Sequence, residues 1–152
     1  MRPYISALVL LALCLTPAAC GEESESDSKA RYERDVKTIF DEATRANQAV
    51  ADDGARIVAR TALTTLDEVV VKLRALDAPS EVEQAHADLT NGIAAFVDLR
   101  RPALEAMSDG RLREAVALGR KELPLETRQR VLQARETFAE KGYDLGAEPP
   151  LE

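Results

Sequence analysis

The sequence predicts an all-α fold, an antiparallel helical bundle of about four to five helices placed after a signal peptide and a short disordered tether. Three observations carry this. From Lys29 onward, apolar residues recur at steps of three and four rather than two, which is the period of a helix with one buried stripe. Gly, Pro and Asp clusters interrupt that period at intervals suited to helices. The body is rich in alanine while aromatics make up only 4 % of the chain, so neighbouring helices can approach closely. At 152 residues and 45 % apolar content, the chain holds one domain with one core.

The first twenty residues, MRPYISALVLLALCLTPAAC, stand apart from this body. Arg2 gives a short positive start, and Ile5 to Leu15 is an uncharged run of 11 residues. As a helix that run spans about 16 Å, too short for a hydrocarbon core of about 30 Å. Small residues then lead to Cys20, the pattern of an export signal with a cleavage site. Ala18-Ala19-Cys20-Gly21 resembles the lipobox of bacterial lipoproteins, although Pro17 stands where that family prefers Leu. The resemblance implies cleavage after residue 19, a lipidated Cys20 carrying palmitate-type acyl chains, and attachment to a bacterial membrane facing periplasm or cell exterior. Two or more chains anchor stably where one holds only marginally. Cys14 falls in the segment that would be removed, leaving no cysteine pair in the body.

Residues 20–28 form the lipidated cysteine and its tether. Gly21 to Ser28 reads GEESESDS, with four acids and nothing apolar, and is expected to be disordered. The bundle is expected over 29–142. Its first helix shows Tyr32, Val36, Ile39, Phe40, Ala43, Asn47 and Val50 on one face, and Asp52-Asp53-Gly54 ends it. The second presents Ala59, Ala62, Leu66, Val69, Leu73 and Leu76, with Leu63 and Val70 as an added seam, and is expected to be the most buried element. Asp77-Ala78-Pro79 stops it. Ser80-Glu81-Val82-Glu83 has the form of a capping box for the third helix. That helix has Val82, Ala85, His86, Leu89, Ile93 and Phe96 as its core face. Pro102 is expected to kink or restart it, with a short piece running to Met107.

Ser108-Asp109-Gly110 reads as a turn, Leu112 to Leu123 as a fourth helix, and Pro124 as the first turn of a last helix reaching about Lys141. Leu125, Val131, Leu132, Ala134, Phe138 and Ala139 give that helix its apolar side. Gly142 closes it, and 143–152 is a C-terminal tail with Tyr143 and Leu145 as possible pins. Short connections make consecutive helices antiparallel. The stretch Leu73-Arg74-Ala75-Leu76-Asp77-Ala78-Pro79, followed by His86 and Leu89, is similar to a helix–Pro–helix junction of small all-helical secreted lipoproteins. That likeness implies a fold rather than an activity.

The chemistry available is thin. The 20 basic and 27 acidic residues give a charge of −7 with no basic stripe, which argues against nucleic acid. His86 is the one histidine, and with Glu83 it makes E-x-x-H. A bundle di-iron site needs two such motifs and further carboxylates, so one chain falls short. Met107 lies 21 residues from His86, about 31 Å along a continuous helix, and cannot share a haem iron with it. There is no nucleophile elbow, so a hydrolase would need Ser and Asp to converge on His86. The arginines at 100, 101, 111, 113, 120, 128, 130 and 135 either dock an acidic partner or a phosphate-bearing envelope polymer, or lace a solvated surface with ion pairs.

The expected function is therefore a membrane-anchored lipoprotein of the cell envelope whose bundle works non-enzymatically through protein contacts, with no catalytic, cofactor or metal residue assigned. The competing reading is a ligand- or metal-binding bundle that uses the seam of the first three helices near His86. An enzyme would need a His86-centred site.

Overall fold

The computed structural model describes residues 24–146, so the expected export signal, Cys20 and the last part of the C-terminal tail lie outside the described residues. The described residues form five helices and no strand: α1 Glu25–Ala49, α2 Ala55–Arg74, α3 Glu83–Ser108, α4 Leu112–Gly119 and α5 Leu125–Glu140. The fold is the all-α bundle that the periodicity predicts. At its centre is α3, which packs against α2, α4 and α5, while α1 packs on α2. The α-carbons of α1 stay more than 8 Å from those of α3 and α5, and large side chains fill the gap.

The first helix begins earlier than expected. Ser24 caps it, its hydroxyl oxygen accepting from the Asp27 amide at 3.2 Å, with Glu25 and Asp27 in the first turn. Residues 25–28 of the acidic stretch are thus helical rather than tether. The same charge that keeps this stretch out of a core suits the positive end of a helix dipole. Tyr32, Val36, Ile39 and Phe40 are buried as the stripe predicts.

The most buried element is α3 rather than α2: α3 buries nine side chains or glycines where α2 buries five. The second helix lies between α1 and α3 with one side open, so Leu63 and Leu66 are only half-buried and Val71 is 66 % exposed. The capping box does not form. Pro79 to Val82 makes a turn closed by Val82 N–H to the Pro79 carbonyl at 2.9 Å, and Val82 itself is the N-cap of α3. Burying the Val82 side chain, 1 % exposed, takes precedence over a side-chain cap from Ser80.

Nor does the helix restart at Pro102, which α3 carries inside one continuous run to Ser108. The proline sits on the solvent side and so does Asp98, the residue whose carbonyl loses its donor, so water can satisfy that oxygen. Ala103 and Ala106, both buried, hold the continuing turns against α4. The fourth helix is shorter than expected and stops at Gly119, after which Leu123 turns inward to 6 % exposure. On α5, Val131, Ala134 and Phe138 are buried, but Leu125 and Leu132 are 64 % and 56 % exposed, and Ala139 is exposed too. Their positions fall on the side of α5 away from α3.

The α5 terminus follows the glycine signal. Tyr143 N–H bonds the Phe138 carbonyl and Gly142 N–H the Ala139 carbonyl, with Gly142 at φ +70°. This is a Schellman closure, and it reverses the chain so that Tyr143 lands on the core at 7 % exposure. Tyr143 pins the start of the tail as expected, and Leu145 packs partly against the same cluster.

Candidate functional site around His86

Four chain segments converge at one end of the bundle: the start of α1, the last turn of α2, the start of α3 and the reversed end of α5. They bring together Tyr32, the Leu73 main chain, His86, Phe138 and Tyr143. The local reason is simple. Antiparallel neighbours place alternate termini at one end, and this end holds three of the five Phe and Tyr side chains among the described residues.

His86 is 9 % exposed. Its Nδ1 lies 2.9 Å from the Tyr32 hydroxyl, and the ring also hydrogen-bonds the Leu73 main chain near the α2 terminus. We assign the Tyr32 phenol as the donor of the 2.9 Å contact, so that Nδ1 accepts and the other ring nitrogen carries the proton. Burial lowers the imidazole pKa from its ordinary 6.5, opposed by the Leu73 bond. Burial also pushes the Tyr32 phenol well above its ordinary range. Both groups are neutral near pH 7.

Tyr32 is the hub of the cluster. Its ring stacks on Phe138 with centroids 6.0 Å apart and meets the edges of His86 at 5.7 Å and Tyr143 at 5.8 Å. The Tyr143 hydroxyl donates to Glu81 Oε1 at 2.6 Å, and Lys29 Nζ lies 4.6 Å over the Tyr143 ring. Burial raises the Tyr143 phenol as well, with the Glu81 bond adding to it.

Glu83 and His86 are not brought together in function: Glu83 is exposed on the first turn of α3 while His86 points inward. No group of three or more His, Cys, Asp or Glu side chains able to hold a metal occurs among the described residues. With one nitrogen protonated toward Leu73 and the other accepting from Tyr32, the ring has no lone pair left for a metal while both bonds hold. Cys20, the residue expected to be lipidated, lies outside the described residues.

Of the basic residues singled out in the sequence, Arg101 forms a two-pronged pair with Asp67 at 2.6 and 3.1 Å, joining α3 to α2. Arg111 pairs with Asp109 and Glu114, Arg128 with Glu122, and Arg130 with Glu126. Arg100 does something else: its Nη1 donates to the Gly119 and Lys121 carbonyls, capping α4, while its guanidinium lies 5.1 Å over the Phe96 ring. These arginines are largely used within the molecule. The partnership of Tyr32 with His86 was not legible beforehand, because a tyrosine on an apolar stripe reads only as core. No family model, curated protein or solved structure matches the chain. The reading of its function therefore rests on its own residues.

Proposed function

We propose that the protein is an exported lipoprotein, acylated on Cys20 and held at a bacterial membrane, whose helical bundle acts by protein contacts at the envelope and not by catalysis. The observation that carries this is the N-terminal order of Arg2, the uncharged run Ile5–Leu15 and Ala18-Ala19-Cys20-Gly21. The start of α1 supports it. With its cap at Ser24, the bundle follows Cys20 by four residues, which can span at most about 14 Å. An acylated Cys20 would hold the His86 end of the bundle close to the lipid headgroups. No helix among the described residues is long and apolar enough to cross a membrane, so attachment there would fall to the lipid.

The non-catalytic part rests on His86. The one histidine is engaged by Tyr32 and Leu73 in a buried bond that ties α1, α2 and α3, a structural use that leaves it without a carboxylate partner for proton transfer. Metabolic labelling with a palmitate analogue tests the anchor. Label is expected in the wild type and absent from Cys20→Ala, with a mature N-terminus at residue 20 by mass spectrometry. Label retained by the variant, or a chain still beginning at Met1, would remove the proposal.

A further inference from the structure

The cluster at the His86 end also closes the molecule over its own C-terminal segment. Outside the core, residues 141–146 are held to α1 by surface contacts. Lys29 Nζ donates to the Lys141 carbonyl at 2.8 Å, the Asp144 amide donates to Glu33 at 3.0 Å, and Lys37 pairs with Asp144 at 2.7 Å. These contacts are exposed, Asp144 at 76 %, and surface pairs of this kind contribute little each. What remains is Tyr143, whose ring rests edge-on against Tyr32 and Phe138 and whose hydroxyl donates to Glu81, with Leu145 packed partly beside it. The Tyr32 ring is therefore one wall of the seat of the segment, and its hydroxyl lies 2.9 Å from His86 Nδ1.

We propose that the His86–Tyr32 contact is an acid-opened latch: when the imidazole takes up a second proton, the C-terminal segment 141–146 leaves α1 while the helices stay folded. The proton arrives from solvent at Nδ1, the nitrogen that accepts from Tyr32. Nδ1 then becomes a donor facing a donor. The phenol must swing its hydrogen away so that its oxygen accepts from Nδ1, and no other hydrogen-bond partner of that hydroxyl stands in the cluster, a penalty of the kind that buried polar groups avoid.

The surroundings offer the new cation nothing in return. From α1 the ring meets the neutral Tyr32 phenol, with Lys29 and Glu33 turned to the C-terminal segment. From α2 it meets the Leu73 main chain, and from its own helix Glu83 is exposed and away. The loop contributes Glu81, which is engaged by Tyr143, and α5 contributes Phe138. His86 is held below its ordinary 6.5, so the neutral state and its contribution are complete above about that pH and are lost as the pH falls below it. The outer clip behaves differently. Lys37 keeps the Asp144 carboxyl below its ordinary 3.8.

Hydrogen exchange of the full chain, read at the amides of 142–146 and corrected for the intrinsic pH dependence, tests this. Protection is expected to drop at least tenfold between pH 7.5 and 5.0 with the far-UV helix signal unchanged. In His86→Gln, which can still accept from Tyr32 but does not titrate, protection should hold over that range. Unchanged protection in the wild type, an equal drop in the variant, or loss of helix in step with the drop would each overturn the latch. Should His86→Gln fail to fold, the imidazole titration of the wild type by NMR decides: its midpoint must coincide with the release midpoint, and separate midpoints refute the coupling.

Discussion

The two ends of this bundle are packed by opposite means. At the His86 end, large rings from α1, α3, α5 and the C-terminal segment fill the space between α1 and the α3–α5 pair, whose backbones stay more than 8 Å from that of α1. At the α4 end, Ala103 and Ala106 of α3 face a short helix that buries Ala115, and Gly119 has Ala103 as the nearest neighbour to where its side chain would lie. Large side chains let helices stand apart and still exclude water. Small ones demand close approach. The first kind of packing should fail by losing volume, the second by gaining it or by losing the polar contacts that hold a thin interface in place.

The largest effect is expected from Phe138→Ala. Phe138 is 2 % exposed, stacks on Tyr32 and meets the Tyr143 edge, so truncation both empties the site and removes one of the two rings that support Tyr143. Removing a buried Phe destabilises by about 3–5 kcal/mol, a loss that chemical denaturation will read directly. A loss under about 1 kcal/mol would mean that the rings can collapse on each other, and the distinction drawn between the two ends would not stand.

The helix count was legible because it depends on period and punctuation, and these are local. The stripe of α1 and the glycine after α5 both did what their residue types require. The failures are of another kind. Leu125 and Leu132 have the same side chain as Leu89 and Leu73, and only the direction from which α3 approaches decides that the first two are exposed. Ser80 and Glu83 had the right spacing for a cap, but a neighbour's demand for Val82 in the core moved the helix start. Pro102 was tolerated because its orphaned carbonyl faces water, which depends on orientation and not on the presence of proline. The candidate site was half legible: spacing put His86, the lone histidine, on the core face of α3, where it is buried, but its partner Tyr32 lies 54 positions away. Spacing within one helix says nothing about such a pair.

A sharper test of small-residue packing is Gly92→Ala. The glycine is buried in α3, and an added methyl would overlap Cγ2 of Val131 on α5. Val131 is β-branched and stiff in a helix, so it cannot swing clear easily. Overpacking of this sort destabilises by about 1–3 kcal/mol, with up to about 1 kcal/mol recovered from the better helix propensity of alanine. Adding Val131→Ala should restore part of the loss. If the double variant is no more stable than Gly92→Ala alone, the close approach of α3 and α5 is not what fixes residue 92.

The smallest effect should come from Arg100→Met, and it should be confined to the other end. Methionine keeps an aliphatic stem beside Phe96 but cannot donate to the Gly119 and Lys121 carbonyls, which belong to the unsatisfied end of α4. The loss in global stability should be about 1 kcal/mol, the size of a typical net hydrogen bond. The telling measurement is local: amides of residues 112–123 should exchange faster while those of 142–146 do not change. Four of the five helices are long enough to bury a sizeable stripe, but α4 has eight residues and one buried alanine, so it has little besides Arg100 and the inward turn of Leu123 to hold it down. Faster exchange at both ends would mean that the two kinds of packing are coupled through α3, and that the bundle opens as one unit.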